Sequence, residues 1–193
     1  MNILTAKNLS FSYDKIPVVS NWSAQVDAQK IYHLQGANGS GKSTLLRLLA
    51  GILCPESGEV NACLSAPFSY PIAYVGHRLG LHPYLSVVEN INLDIVSHCN
   101  PVAMLESVNL HTKQHALVAT LSVGQKQKVA LLKMITQQAM LWIMDEPLAN
   151  LDEQGEAWLW GQINRHLDLG GAVILTAHQR HFDHIGVNTW HMA

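Results

Sequence analysis

The chain has 193 residues, enough for one good hydrophobic core and short for two independent domains. Its formal net charge of −2 supplies no basic field of the kind that non-specific nucleic-acid binding draws on, so nucleic acid is not an expected partner. Charged residues make up 13% and hydrophobic residues 48%, against about 25% charged in an average soluble domain, so part of the apolar surface is expected to face a partner.

The first residues, Met1 to Lys7, alternate like a strand and lack the apolar core of a signal peptide. No apolar run approaches the roughly 20 residues that span a bilayer, so a cytoplasmic chain is expected. Strands are predicted over Ile3 to Leu9, Val18 to Val26 and Ile31 to Gln35, broken at Tyr13 to Lys15 and Asp27 to Gln29. Thr44 to Ala50 reads as a helix closing at Gly51, Pro55 to Glu59 as a tight turn, and Ile72 to Val75 as a short strand. From Ser86 the character changes. Ser86 with Glu89 forms a capping-box pattern for a helix through Val96, a second helix starts near Pro101, and a third runs from Gly124 to Ala139. Residues 78 to 138 are therefore expected to form a helical subdomain within one domain spanning residues 1 to 193. Leu141 to Met144 returns to buried strand, Asp152 to Leu167 to helix, and Ala172 to Thr176 to strand. Cys54, Cys63 and Cys99 are odd in number and form no CxxC pair, which predicts buried free thiols in place of a disulfide framework or a zinc site.

The nine residues Gly36-Ala37-Asn38-Gly39-Ser40-Gly41-Lys42-Ser43-Thr44 fit the P-loop pattern G-x-x-x-x-G-K-[ST], between the predicted strand and helix that such a loop requires. The glycines let the backbone turn so that N–H groups and the positive end of the helix point at phosphate oxygens. Lys42 adds a full charge for the β- and γ-phosphates, and the Ser43 hydroxyl is placed to ligate Mg²⁺. A nucleoside triphosphate site is thus predicted. Strands alternating with helices around it imply an α/β fold, a P-loop core with a mainly parallel sheet and flanking helices, an antiparallel β region at the N-terminus, and the small helical insert.

Leu141 to Met144 runs into Asp145 and Glu146, the Walker B arrangement. Adjacent carboxylates at a buried strand end are costly unless a cation or a reaction uses them. Asp145 is expected to hold Mg²⁺ through a water, and Glu146 to polarise the attacking water.

Leu121-Ser122-Val123-Gly124-Gln125 at the start of the third helix resembles the signature motif of ATP-binding cassette ATPases, and with the P-loop before it and Asp145-Glu146 after it the resemblance covers essentially the whole chain. In that family Ser122, Gly124 and Gln125 complete the γ-phosphate shell of the opposite subunit, which implies a head-to-tail homodimer when ATP is bound. The resemblance further implies that Tyr13 stacks on adenine, that Asp152 belongs to the D-loop while capping the next helix, and that His178 is the switch histidine contacting the γ-phosphate. It implies ATP and Mg²⁺ as cofactors. Partners would be separate integral membrane subunits, contacting the surface around His77 to Asn90, with this chain peripheral on the cytoplasmic face of the bacterial inner membrane.

Two departures stand out. His77 occupies the place where the family has a Gln reaching toward Mg²⁺ and water, so a catalytic role passes to an imidazole. Lys128 stands where the family tends to have Arg, keeping charge without bidentate geometry. The spacing of His178, His181 and His184 does not make a metal shell, and Trp158 and Trp160 are expected to be partly buried. Within the family, the short length, the segment Tyr74 to Gly80 and Leu175 to Gln179 are most similar to ATP-binding subunits of bacterial cytochrome c maturation haem exporters. That implies haem export or release of a haem-loaded chaperone, with no direct haem contact by this chain. A transporter for another substrate, a non-transport cassette ATPase and a small P-loop kinase are the alternatives.

Overall fold

Three largely apolar runs place the centre of the molecule. In the computed structural model, which describes residues 1–93, 100–177 and 186–192, these runs are the strands β3 (Ile31–Gln35), β6 (Ala139–Asp145) and β7 (Ala172–Thr176). Every residue of β6 and β7 is buried, as are the first four of β3. Strands without an alternating polar face must be covered on both sides, which is the setting of a parallel sheet. With β5 (Tyr70–Val75) and β8 (Val187–His191) they form a five-stranded parallel sheet ordered β5-β6-β7-β3-β8.

The N-terminal strands behave differently. β1 (Asn2–Tyr13) and β2 (Ile16–Asp27) pair antiparallel through a tight turn at Asp14 and Lys15, both with positive φ, and β4 (Ser57–Ala62) adds to the other edge of β1. Ile3, Leu4, Leu9, Val19 and Val26 face one core with α1 (Lys42–Leu49) and the inner side of β6. On the other side of the parallel sheet Leu159 and Ile163 of α5 (Glu153–Asp168) pack with Leu131 and Met134 of α4 (Val123–Thr136) against Trp142, Met144 and Leu175.

A third cluster gathers Val87 and Ile91 of α2 (Val87–Asn92), Leu105 of α3 (Pro101–Ser107), Leu121, and Val129 and Leu132 of α4. The capping box at Ser86 is present, with the Ser86 hydroxyl accepting from the Glu89 N–H and the Glu89 carboxylate accepting from the Ser86 N–H at 2.7 Å. Asn90, fully buried, orders the turn ahead of it. Its amide donates to the carbonyls of His82, Leu85 and Ser86, and its side-chain oxygen accepts the His82 N–H at 2.7 Å.

Several sequence expectations need correction. The turn placed at Pro55 to Glu59 already contains the start of β4, a strand whose residues are mostly exposed and whose existence depends on pairing with β1. The helix expected to reach Ala139 ends at Thr136, because Gln138 adopts a positive φ of 50° and Ala139 pairs with Tyr70. Cys54 and Cys63 are exposed free thiols, since one lies in the connection after α1 and the other just past the edge strand β4. Trp158 and Trp160 are both partly buried, as expected. Cys99, the end of the helix expected to run to Val96, His178, His181 and His184 lie outside the described residues.

Candidate functional site

Because the sheet is parallel, β3, β6 and β7 deliver their carboxyl ends to one edge, and the predicted chemistry collects there. The chain leaves β3 at Gly36 and returns into α1 at Gly41, whose φ of 94° is left-handed. A Cβ on Gly41 would lie 2.7 Å from Val18 Cγ1 and 3.0 Å from the Val18 carbonyl, so glycine is required by both conformation and space. No side chain caps α1, so the N–H groups of its first turn, beginning with Lys42, Ser43 and Thr44, face the loop's interior. Lys42 Nζ donates to the carbonyls of Gly36 and Ala37, each at 2.8 Å, which holds the ammonium over the loop. Ser40 Oγ is buried and has no hydrogen-bond partner among the described residues.

A cleft of about 520 Å³ is lined by Tyr13, Val18, Asn38, Gly39, Gly41, Lys42, Ser43, Thr44, His77, Asp145 and Glu146. Eight of these eleven are residues that the sequence singled out for nucleotide or cation contact, and Glu146 and His77 are the two it assigned to the attacking water. Tyr13 is 44% exposed at the cleft, and its ring meets Phe11 in a T-shaped contact at 4.9 Å. Gly36, Ala37 and Ser40 complete the loop behind the lining.

The carboxylate pair sits opposite. Asp145 is buried, and its Oδ1 accepts a hydrogen bond from the Thr176 hydroxyl at 2.7 Å. Its Oδ2 is also buried and accepts none from the described residues. Among those residues His77 approaches it, with Nε2 3.7 Å away, beyond hydrogen-bond range. Glu146 turns the chain with a φ of 52°, and its N–H donates to the Thr176 hydroxyl oxygen at 2.8 Å. Thr176 was not among the residues the sequence singled out. The only signal for it was a hydroxyl at the end of an otherwise apolar strand.

Ser122, Gly124, Gln125 and Asp152 are not in this cleft. Ser122 caps α4, its hydroxyl accepting the Gln125 N–H at 3.2 Å while Gln125 Oε1 accepts the Ser122 N–H at 3.1 Å. The Gln125 side chain is thereby committed to a capping box. Gly124 packs on the turn after Glu146, where an added Cβ would lie 2.5 Å from the Asn150 carbonyl oxygen. Gln127 donates to the Pro147 carbonyl at 3.1 Å in the same interface. Asp152 caps α5 by accepting the Gly155 N–H at 3.0 Å and meets Lys128 Nζ at 2.9 Å. The Lys128 ammonium and the Gly155 N–H hold the Asp152 carboxyl below the usual range. Lys128, noted in the sequence as a departure from Arg, is therefore paired with an exposed carboxylate of its own chain.

Two buried histidines frame the sheet away from the cleft. His33 on β3 bonds the Ala177 carbonyl through Nε2 at 2.9 Å and meets the Gln35 amide through Nδ1 at 3.0 Å; burial pushes its imidazole down from its ordinary value. With Nδ1 accepting from the amide, Nε2 carries the hydrogen and donates to Ala177. His166 stacks on Trp142 with ring centroids 3.9 Å apart, and burial lowers it to about 4.

Residues 19–149 match the family model described as ABC transporter. The curated relatives that the chain matches include proteins named cytochrome c biogenesis ATP-binding export protein CcmA. That of Legionella pneumophila (strain Lens) is 38% identical, covering 92% of this chain and 93% of its own. That of Tatumella citrea is 38% identical, with 92% and 89% covered. That of Xanthomonas campestris pv. campestris (strain 8004) is also 38% identical, with 91% and 86% covered. A solved structure titled as the ATP binding subunit of an ABC transporter superposes with a TM-score of 0.82 at 25% identity, over 92% of this chain and 80% of that one.

Proposed function

Since this chain belongs to the ABC transporter family and is its ATP-hydrolysing, ATP-binding subunit, we propose that it drives an export step of c-type cytochrome biogenesis, with haem or a haem-loaded chaperone as the cargo released. The observation that supports this reading beyond the family is the near full-length similarity to three proteins whose names specify cytochrome c biogenesis and export. The cleft supplies the ATPase half of it.

In this reading the α1 N-terminus and Lys42 bind the triphosphate, and the exposed Tyr13 ring stacks on the base. Ser43 and Asp145 would hold Mg²⁺, Asp145 through a water. The fit rests on Asp145 Oδ2, a buried carboxylate oxygen with no hydrogen-bond donor in a cleft that also presents Ser43. Mg²⁺, when bound, screens the phosphate charge and orients its oxygens. Glu146 accepts a proton from the attacking water, and His77 and His178 orient water and γ-phosphate.

Ser122 and Gly124 lie outside the cleft of their own chain. A second copy arranged head to tail would bring them to the phosphates, so a homodimer closed on ATP completes the site. Residues 78 to 138 then act as a helical subdomain that receives integral membrane subunits. No helix among the described residues is long and apolar enough to cross a membrane. In this reading the chain works peripherally on those subunits, on the cytoplasmic side of the inner membrane.

The test is purification of tagged Glu146→Gln from solubilised native membranes with Mg²⁺ and ATP, followed by mass spectrometry and visible absorption. Recovery of cytochrome c maturation membrane proteins supports the pathway, and a haem band adds the cargo. Recovery of a different permease instead would discard the haem reading and leave a transporter for another substrate.

A further inference from the structure

β6 and β7 are paired so that Asp145 stands opposite Thr176. We propose that Thr176 is a positioning residue for ATP hydrolysis, whose single hydroxyl sets the relative geometry of Asp145 and Glu146. The inference rests on the reading that these two carboxylates form the hydrolytic pair.

Thr176 is 1% exposed, so its hydroxyl exchanges no bonds with bulk water. An amide N–H can only donate, and the Glu146 N–H points at Thr176 Oγ1 at 2.8 Å. The hydroxyl hydrogen is thereby left for Asp145 Oδ1 at 2.7 Å. One atom thus serves both carboxylate residues, and the direction of each bond is fixed. A β-branched side chain is stiff at χ1, so the strand backbone itself sets where the hydroxyl lies.

Two consequences follow for the cleft. With Oδ1 engaged, Oδ2 is the Asp145 oxygen left without a partner, on the side where His77 stands. Thr176 therefore selects which oxygen is available to a cation's water shell. Glu146 meanwhile keeps a left-handed φ of 52°, uncommon for a side chain with a Cβ, and the bond from its N–H holds that turn in place. The turn decides where the Glu146 carboxylate is aimed relative to the end of β6. The clamp is itself anchored. The carbonyl just past the end of β7, that of Ala177, accepts from His33 on the strand leading into the P-loop.

Val has the shape of Thr without the hydroxyl and should remove both bonds at once, whereas Ser keeps the hydroxyl and loses only a methyl group. ATP hydrolysis is measured on the full-length chain purified with its membrane partners, alongside titration with a fluorescent ATP analogue with and without Mg²⁺. Thr176→Val is expected to lower kcat at least tenfold with KM for ATP within twofold. The tightening of analogue binding that Mg²⁺ confers should shrink, and metal-free affinity should stay. Thr176→Ser is expected to restore kcat to within threefold of the parent. A packing role alone would lower yield and Tm and leave kcat per nucleotide-binding molecule unchanged. Parental kcat in Thr176→Val, or equal impairment in Val and Ser variants, overturns the proposal. If Thr176→Val does not fold, Thr176→Cys, a weak hydrogen-bonding group, takes its place and is expected to be slow; parental kcat there overturns it equally. Glu146→Gln is run in parallel: parental hydrolysis by that variant would remove the reading of the carboxylates, while an inactive Glu146→Gln with a fully active Thr176→Val removes only the role of Thr176.

Discussion

His77 Nε2 lies 3.7 Å from Asp145 Oδ2, a buried carboxylate oxygen that accepts no hydrogen bond from the described residues. The side chain of His77 is 58% exposed and that of Asp145 2%, so one partner can move and the other cannot. A shift of less than an ångström, or one water, would join them. If His77 orients the attacking water in place of a family Gln, His77→Ala should lower kcat about tenfold or more, within the range for lost acid–base or orienting groups. His77→Gln, which puts an amide back at this position, should retain most activity. Steady-state ATPase assays on both variants decide this. A parental rate in both would remove His77 from the reaction.

Glu146 and Lys42 should separate binding from hydrolysis. Glu146→Gln keeps the shape of the side chain and the N–H bond to Thr176, so nucleotide binding is expected to persist while turnover falls by about 10²-fold or more. Lys42→Ala removes the ammonium that bridges the Gly36 and Ala37 carbonyls, and ATP affinity should fall with it. Equilibrium binding of a fluorescent ATP analogue checks both, and parental affinity in Lys42→Ala would contradict its placement.

The parts of this site that were legible in the sequence are those carried by contiguous residues. The P-loop is a local shape, and β3 and β7 were bounded correctly because each is an apolar run between polar or glycine punctuation. β4 and β8 escaped notice because Ser57–Ala62 and Val187–His191 are edge strands with exposed residues, formed by pairing to β1 and β3. Thr176 was invisible for a related reason. Its partners lie 30 and 31 positions away, and only the β6–β7 register brings them together. The Lys128–Asp152 pair likewise exists only once α4 packs on the turn that precedes α5.

That packing makes Gly124 a sensitive position. A Cβ there would lie 2.5 Å from the Asn150 carbonyl oxygen, and backbone cannot yield as a flexible side chain can. Gly124→Ala should force the 147–151 turn away from α4, destabilising the fold by about 1–3 kcal/mol as overpacking does. Because that turn follows Glu146 directly, kcat should fall more than ATP affinity. Urea denaturation and ATPase assays on the same preparation test both, and a parental kcat would show that the turn can shift without disturbing the carboxylates.

Stability should also depend on His166. Its imidazole stacks on Trp142, one ring nitrogen meets the Ala172 carbonyl at 3.2 Å, and burial lowers its pKa from 6.5 to about 4. The folded state therefore keeps the ring neutral at pH values where the unfolded chain takes up a proton. Protons bound by the unfolded state favour unfolding as pH falls, so this contribution is fully present above about pH 6.5 and is lost progressively down to about pH 4, for roughly 3 kcal/mol in all. His33, also lowered by burial, adds to the loss in the same direction. The Asp152 and Glu89 carboxyls, both held below their ordinary values, lose their contributions only at lower pH. His166→Phe retains a flat ring against Trp142 and cannot titrate. Urea unfolding followed by tryptophan fluorescence at pH 7 and pH 5 should show a loss of roughly 2 kcal/mol in the parent that His166→Phe largely abolishes, the remainder belonging to His33. Equal pH dependence in the two proteins would mean that the buried ring takes up its proton without penalty.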